Sequence, residues 1–137
     1  MQYENALRKR HSVSLLYAHF VFTTKYRRRI FTGNHISQLG WAFNHICQKH
    51  GCNLEEFDGE QDHVHLLIRY PPALSLSWLA NQLKATSSRR LRELNPDMRR
   101  LSRSSALWSR SYFVCSAGGA PIEVLKQYIE QQQTPSG

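Results

Sequence analysis

Residues 62–67 read Asp-His-Val-His-Leu-Leu. Two imidazoles stand one residue apart, with an acid before them and an apolar run after. Alternate side chains of a strand share a face, so His63 and His65 project together while Val64 points the other way. Such a pair can grip one divalent metal, and it needs a third ligand and an open position to be catalytic. Asp62, if it sits in the turn before the strand, can act as a carboxylate that orients one of the imidazoles. The pattern also fits two half-buried histidines hydrogen-bonded to neighbours, in a chain that has seven histidines.

A second group lies in the C-terminal stretch PIEVLKQYIEQQQ. Tyr128 and Gln132 are four apart, which places them along one side of a helix. A tyrosine hydroxyl can attack a phosphate covalently when a metal or base assists it, because its own pKa is about 10. The Gln132 amide oxygen is a hard ligand suited to Mg²⁺ or Mn²⁺. By themselves the two residues, a common pattern, better fit a ring packed on a sheet and a solvated amide.

The whole chain bears on which chemistry is meant. Its 137 residues fit one domain with one core, and a hydrophobic content of 41% allows a packed interior. The formal charge is +8, from 18 Lys and Arg against 10 Asp and Glu. So basic a small chain suits a polyanionic partner, most often nucleic acid. Cys47, Cys52 and Cys115 are an odd set without CxxC spacing, which argues against a disulfide framework or a structural zinc site. Free thiols suit a reducing cytoplasm. Arg8, Lys9 and Arg10 precede an apolar stretch as in a secretory leader, but His19 and Lys25 interrupt it and no cleavage site follows. No apolar run approaches the roughly 20 residues that span a membrane. A soluble cytoplasmic protein is expected.

The elements follow from period and punctuation. Residues 1–13 read as a basic arm. Residues 14–24, SLLYAHFVFTT, are aromatic and β-branched, a strand buried on both faces. The basic knot KYRRRIF comes next. From Asn34 to His50, Ile36, Leu39, Phe43, Ile46 and Cys47 make one helical stripe, with Thr32 or Asn34 as N-cap and Gly51 at the left-handed C-terminal position. Strands are expected over 53–59 and 63–70, the latter ended by Pro71 and Pro72. A helix over 75–94 turns Leu76, Leu79, Leu83, Ser87, Leu91 and Leu94 inward, and Lys84, Ser88 and Arg92 outward. A polar basic loop spans 97–110, and a fourth strand 111–116. Gly118-Gly119 is a joint before a last helix over 121–133, with Pro121 in its first turn. The order β-α-β-β-α-β is that of the ferredoxin-like, RRM-like α+β fold. It predicts a four-stranded, mainly antiparallel sheet with two helices on one face, the other face being free for a ligand, a partner or the last helix.

The histidine strand, the Tyr-x-x-x-Gln terminal helix, this element order and the positive charge occur together. In that combination the chain resembles the IS200/IS605 transposases, single-tyrosine members of the HUH endonucleases. HVH at His63–His65 matches the family's metal-binding motif. YIEQQ at Tyr128–Gln132 matches its nucleophile and the metal-binding glutamine four residues on. HFVFTTKYRRRIF at 19–31 looks like its first strand and basic turn, and LWSRSYFV at 107–114 like the segment before its hinge. One departure is Gln61, where relatives often have proline, which should alter the turn and not the metal site.

The resemblance implies a transposase acting on single-stranded DNA with hairpin ends. It implies His63, His65 and Gln132 as ligands of Mg²⁺ or Mn²⁺, Asp62 behind them, and Tyr128 as nucleophile giving a 5′-phosphotyrosine and a free 3′-hydroxyl. It also implies a homodimer whose active sites join the histidines of one chain to the tyrosine of the other. DNA is expected on Lys25, Arg27, Arg28 and Arg29, on Lys84, Arg89 and Arg90, and near Arg99, Arg100, Arg103 and Arg110. Tyr26, Trp78, Trp108 and Tyr112 could stack on unpaired bases, with core packing the expectation for each. Three rivals stand beside this reading: a domesticated relative processing chromosomal hairpin repeats, a non-catalytic single-stranded nucleic-acid binder, and a metal-dependent hydrolase that uses water and does not need Tyr128.

Overall fold

A computed structural model describes residues 16–98 and 106–116. Strand β1, Leu16–Thr23, is buried along nearly its whole length. A single 3-10 turn follows at Lys25–Arg27. Helix α1 covers Gly33–Lys49, β2 Asn53–Gly59, β3 His63–Tyr70, α2 Leu76–Leu94 and β4 Phe113–Ser116. The expected arm over 1–13, the Gly118-Gly119 joint and the helix over 121–133 lie outside the described residues, and with them Tyr128 and Gln132.

The sheet order is β2-β3-β1-β4, and every neighbouring pair is antiparallel. This is the expected ferredoxin-like sheet. It follows from two right-handed crossovers that each skip a strand, which leaves β1 and β3 side by side in the middle. Ala18, Phe20 and Phe22 of β1 and Val64, Leu66, Ile68 and Tyr70 of β3 point to one face, where they join Leu39, Phe43, Ile46 and Cys47 of α1 and Leu79, Leu83 and Leu91 of α2 in one core.

Local chemistry sets the helix ends. Thr32 Oγ1 accepts from the His35 backbone N–H, and His35 Nδ1 accepts from the Thr32 N–H at 3.0 Å, a reciprocal capping box. Gly51, at φ 72°, reverses the chain after α1, and the Cys52 N–H then reaches the Cys47 carbonyl at 2.8 Å. Ser75 accepts from the Trp78 N–H to start α2. Leu94, placed inward by its spacing, is 44% exposed at the last residue of α2.

The stretch expected to be a polar loop contributes to the core. Leu107 and Trp108 are buried. Trp108 packs on Phe22, Phe31 and Phe43, and its indole N–H donates to Ser87 Oγ at 3.0 Å. That bond explains a buried serine on the inner face of α2. The segment is stitched to the end of β1 by Lys25 N–H to Leu107 O and Ser109 N–H to Thr23 O, at 2.9 and 2.8 Å. Pairing of β4 begins at Phe113, two residues later than the expected start.

The second face of the sheet carries Tyr17, His19, Val21, His63, His65 and Leu67, and all six are buried. The centre of that face is therefore not open to solvent. No helix among the described residues is long and apolar enough to cross a membrane.

Candidate active site

Strand β3 does what its alternation requires. His63 and His65 stand on the same face with ring centroids 4.9 Å apart and planes perpendicular. Both are buried, so each polar nitrogen has to be accounted for. Glu60 to Asp62 form the turn before them, closed by Glu60 N–H to His63 O at 2.9 Å.

Asp62 sits in that turn as anticipated and faces His63. Its Oδ1 lies 2.8 Å from His63 Nδ1, while its Oδ2 takes the Arg27 guanidinium through Nε and Nη2, each at 3.1 Å. Partial burial pushes the Asp62 carboxyl up, but hydrogen bonds from His63 and Arg27 and the Arg27 charge outweigh it and hold it below the usual carboxylate range. Arg27, Asp62 and His63 thus form a braced line, with Nδ1–H of His63 donating to a firmly ionised carboxylate. That fixes the tautomer and leaves the Nε2 lone pair outward. His63 Nε2 is buried and has no hydrogen-bond partner among the described residues, where a Glu60 carboxylate oxygen lies 3.9 Å away.

A third histidine, not anticipated as a site residue, completes the patch. His19 of β1 stacks on His65 with ring centroids 5.7 Å apart, and its Nε2 lies 3.5 Å from His65 Nδ1. Burial first, and the neighbouring His65 second, lower the His19 pKa to about 4, so it is neutral at pH 7 and able to accept from His65. Both motif histidines therefore have their Nδ1 sides engaged. The only sequence signal was an imidazole within a strand buried on both faces, where its nitrogens had to find partners.

This donor set fits a divalent cation in part. An imidazole whose Nδ1 is held by a carboxylate and whose buried Nε2 lacks a partner is the usual state of a histidine awaiting a metal. Among the described residues no group of three or more His, Cys, Asp or Glu is arranged to hold one. The third ligand expected from the sequence, Gln132, lies outside them.

The basic candidates separate into different roles. Arg28 and Arg29 are exposed in the turn, and Lys25 is half-buried there. Arg27 is held by Asp62. Lys84 donates to the carbonyls of Ser109 and Arg110 at 2.8 and 3.2 Å and lies over the Tyr112 ring, and burial lowers its pKa. Arg89 and Arg110 are exposed, whereas Arg90 lies over Trp41 and 3.6 Å from Glu93. Arg99, Arg100 and Arg103 lie outside the described residues. Of the aromatic candidates, Trp108 is core and Tyr112 packs against it, as expected. Trp78 is 40% exposed, its ring edge-to-face with His50. Tyr26 departs most from the expectation, at 73% exposed.

Comparison with known proteins decides the family. Residues 12–132 match the family model described as "Transposase IS200 like". The chain belongs to the IS200-like transposase family. It is 32% identical over 114 residues to the transposase for insertion sequence element IS200 of Salmonella typhimurium, covering 83% of this chain and 74% of that protein. With the ISDra2 transposase TnpA of Deinococcus radiodurans it shares 26% identity over 114 residues, covering 83% of this chain and 81% of that one. A crystal structure from Deinococcus radiodurans, assigned as a transposase, superposes with TM-score 0.72 at 27% identity, covering 90% of this chain and 95% of that one. A tyrosine transposase associated with REP sequences, solved with a REP hairpin, shares the fold at TM-score 0.57 and 11% identity, over 91% of this chain and 72% of that one. This IS200-like transposase carries its HVH motif on β3, one of the two central strands of its sheet.

Proposed function

We propose that this IS200-like transposase cuts and rejoins single-stranded DNA with hairpin ends, using Tyr128 as nucleophile. The observation that carries the reading is the HVH pair, with Nδ1 of His63 braced by Asp62 and Arg27 and its buried Nε2 lacking a partner. In a family of transposases, that geometry fits a ligand pair for a divalent ion. Gln132, four residues beyond Tyr128, is the candidate third ligand. Mg²⁺ or Mn²⁺, when bound, supplies positive charge beside the scissile phosphate.

The chain's own groups do the rest. Tyr128 Oη bonds to phosphorus, the P–O3′ bond breaks, and the departing 3′ oxygen takes up a proton. The products are a 5′-phosphotyrosine and a free 3′-hydroxyl. A 3′-hydroxyl then attacks the phosphotyrosine, the P–O(Tyr) bond breaks, and Tyr128 recovers its proton. One ester is exchanged for another at each step, so no nucleotide hydrolysis is required. Arg27 and Asp62 hold His63 throughout. A homodimer with the tyrosine helix of one subunit on the histidines of its partner is part of the proposal and a natural two-fold arrangement.

The test incubates end-labelled single-stranded DNA from the flanks of the gene with Mg²⁺ or Mn²⁺ and denatures the products. Wild type should give a covalent protein–DNA adduct on the 5′ side of the break, and Tyr128→Phe none. Cleavage without an adduct that survives in Tyr128→Phe would establish a hydrolase instead. Salt-sensitive binding without cleavage would indicate a non-catalytic binder.

A further inference from the structure

The turn after β1 holds an aromatic ring where folding alone gives no reason for one. Tyr26 has φ 63° and ψ 17°, and Arg27 beside it has φ 56°. Two successive non-glycine residues in the left-handed region are costly for L side chains. The Tyr26 ring regains little of that cost by burial, being 73% exposed. The surroundings nevertheless hold the turn firmly. Arg27 is anchored on Asp62, Arg27 N–H bonds to Thr24 O at 2.9 Å, and the buried Thr24 donates its hydroxyl to Arg28 O at 2.8 Å. Thr24 N–H bonds to Asp62 O, and Ile30 and Phe31 N–H both bond to Gln61 O, at 2.9, 3.0 and 3.0 Å. The turn and the Glu60–Asp62 loop that carries the His63 brace are therefore one unit. Lys25 Nζ and Arg28 Cζ each lie 5.4 Å from the Tyr26 ring centroid.

We infer that Tyr26 is a stacking platform for one unpaired nucleobase of the DNA strand passing His63. A solvent-facing ring on a braced turn, with two cations lying over it, matches what an unpaired nucleotide offers, a π-face and a phosphate. A protein partner would favour apolar neighbours around a central anchor ring, since the core of a protein interface is depleted of charged residues, lysine among them. Lys25 and Arg28 can turn from the ring to the phosphates on either side of the stacked base. The strain is then a local cost of holding the platform beside the cleavage turn. This inference rests on the single-stranded DNA reading, but it concerns binding and needs no metal or cleavage.

The experiment measures fluorescence-anisotropy binding in EDTA, using single-stranded DNA from the flanks of the gene and the same sequence as duplex. Tyr26→Phe keeps the stack and should bind the single strand within about twofold of wild type, whereas Tyr26→Ala should bind it about tenfold or more weakly. Duplex affinity should not change. A strand with an abasic site at each position in turn should show one position where wild type loses that factor and Tyr26→Ala loses nothing. Tyr26→Gly should bind as weakly as the alanine variant yet melt at a higher temperature than wild type, since glycine accepts the left-handed backbone. Equal binding by wild type and Tyr26→Ala, an equal loss on duplex, absence of any such abasic position, or no single-strand binding by wild type would overturn it. Loss of the Tyr128 adduct chemistry with this pattern intact would sink the transposase mechanism and leave the platform standing.

Discussion

At the scale of single residues, the decisive feature is which nitrogen each histidine offers. A bare His-x-His in a strand says that two rings share a face, not which way their lone pairs point. Asp62 settles this for His63 by taking its Nδ1 side at 2.8 Å, and Arg27 keeps Asp62 ionised and aimed. A carboxylate behind a metal-binding imidazole typically affects metal affinity 10–100-fold. Asp62→Ala should therefore weaken Mn²⁺ binding by about one to two orders of magnitude. Titration of Mn²⁺ by electron paramagnetic resonance on the Tyr128→Phe background reads this without any turnover. Asp62→Asn, which keeps the shape and loses the charge, should fall between. Unchanged affinity in both variants would mean that the brace serves folding alone.

At the scale of elements, Lys84 shows how a plausible surface cation is claimed by the fold. It lies on the half-buried flank of α2, where its amine closes onto the Ser109 and Arg110 carbonyls and lies over the Tyr112 ring. Those carbonyls belong to the segment that leads into β4, an edge strand of four residues paired on one side with β1. Charged hydrogen bonds of this kind contribute about 1.5–3 kcal/mol each when buried, and less at a partly solvated site. Lys84→Ala should lower stability by about 1–2 kcal/mol in urea unfolding, with little effect on the salt dependence of DNA binding. The same comparison shows what could be read from the chain beforehand. The α1 stripe, its Thr32 cap and the Gly51 reversal were legible because they depend on spacing within a few residues. His63 and His65 on one face were legible for the same reason. His19 beside His65 was not, because it depends on the register that sets Val21 opposite His65, a long-range fact no local period encodes. Leu107 was hidden too, although core packing was the expectation for Trp108: an apolar residue in a stretch read as a polar loop reveals its burial only once the end of β1 is in place beside it.

At the scale of the whole molecule, a net charge of +8 has to be divided between cations that hold the protein together and cations that meet DNA. Arg27 and Lys84 belong to the first group by their contacts. Arg28 and Arg29, exposed in the turn bonded to the Glu60–Asp62 loop, are the best placed near His63 for the second. Each phosphate neutralised on a single strand contributes about 0.7 to the slope of log affinity against log salt, because a condensed counterion is released. Replacing both Arg28 and Arg29 with alanine should therefore flatten that slope by about 1.4, while lowering affinity most at low salt. Lys84→Ala should leave the slope near the wild-type value. These measurements need only a titration at four or five salt concentrations in EDTA. A slope unchanged by the double substitution, but flattened by Arg89→Ala, would move the DNA path from the turn beside the histidines to the outer face of α2. The strand would then reach the cleavage site from the helix side, past Trp41 and Arg90, and not over Tyr26.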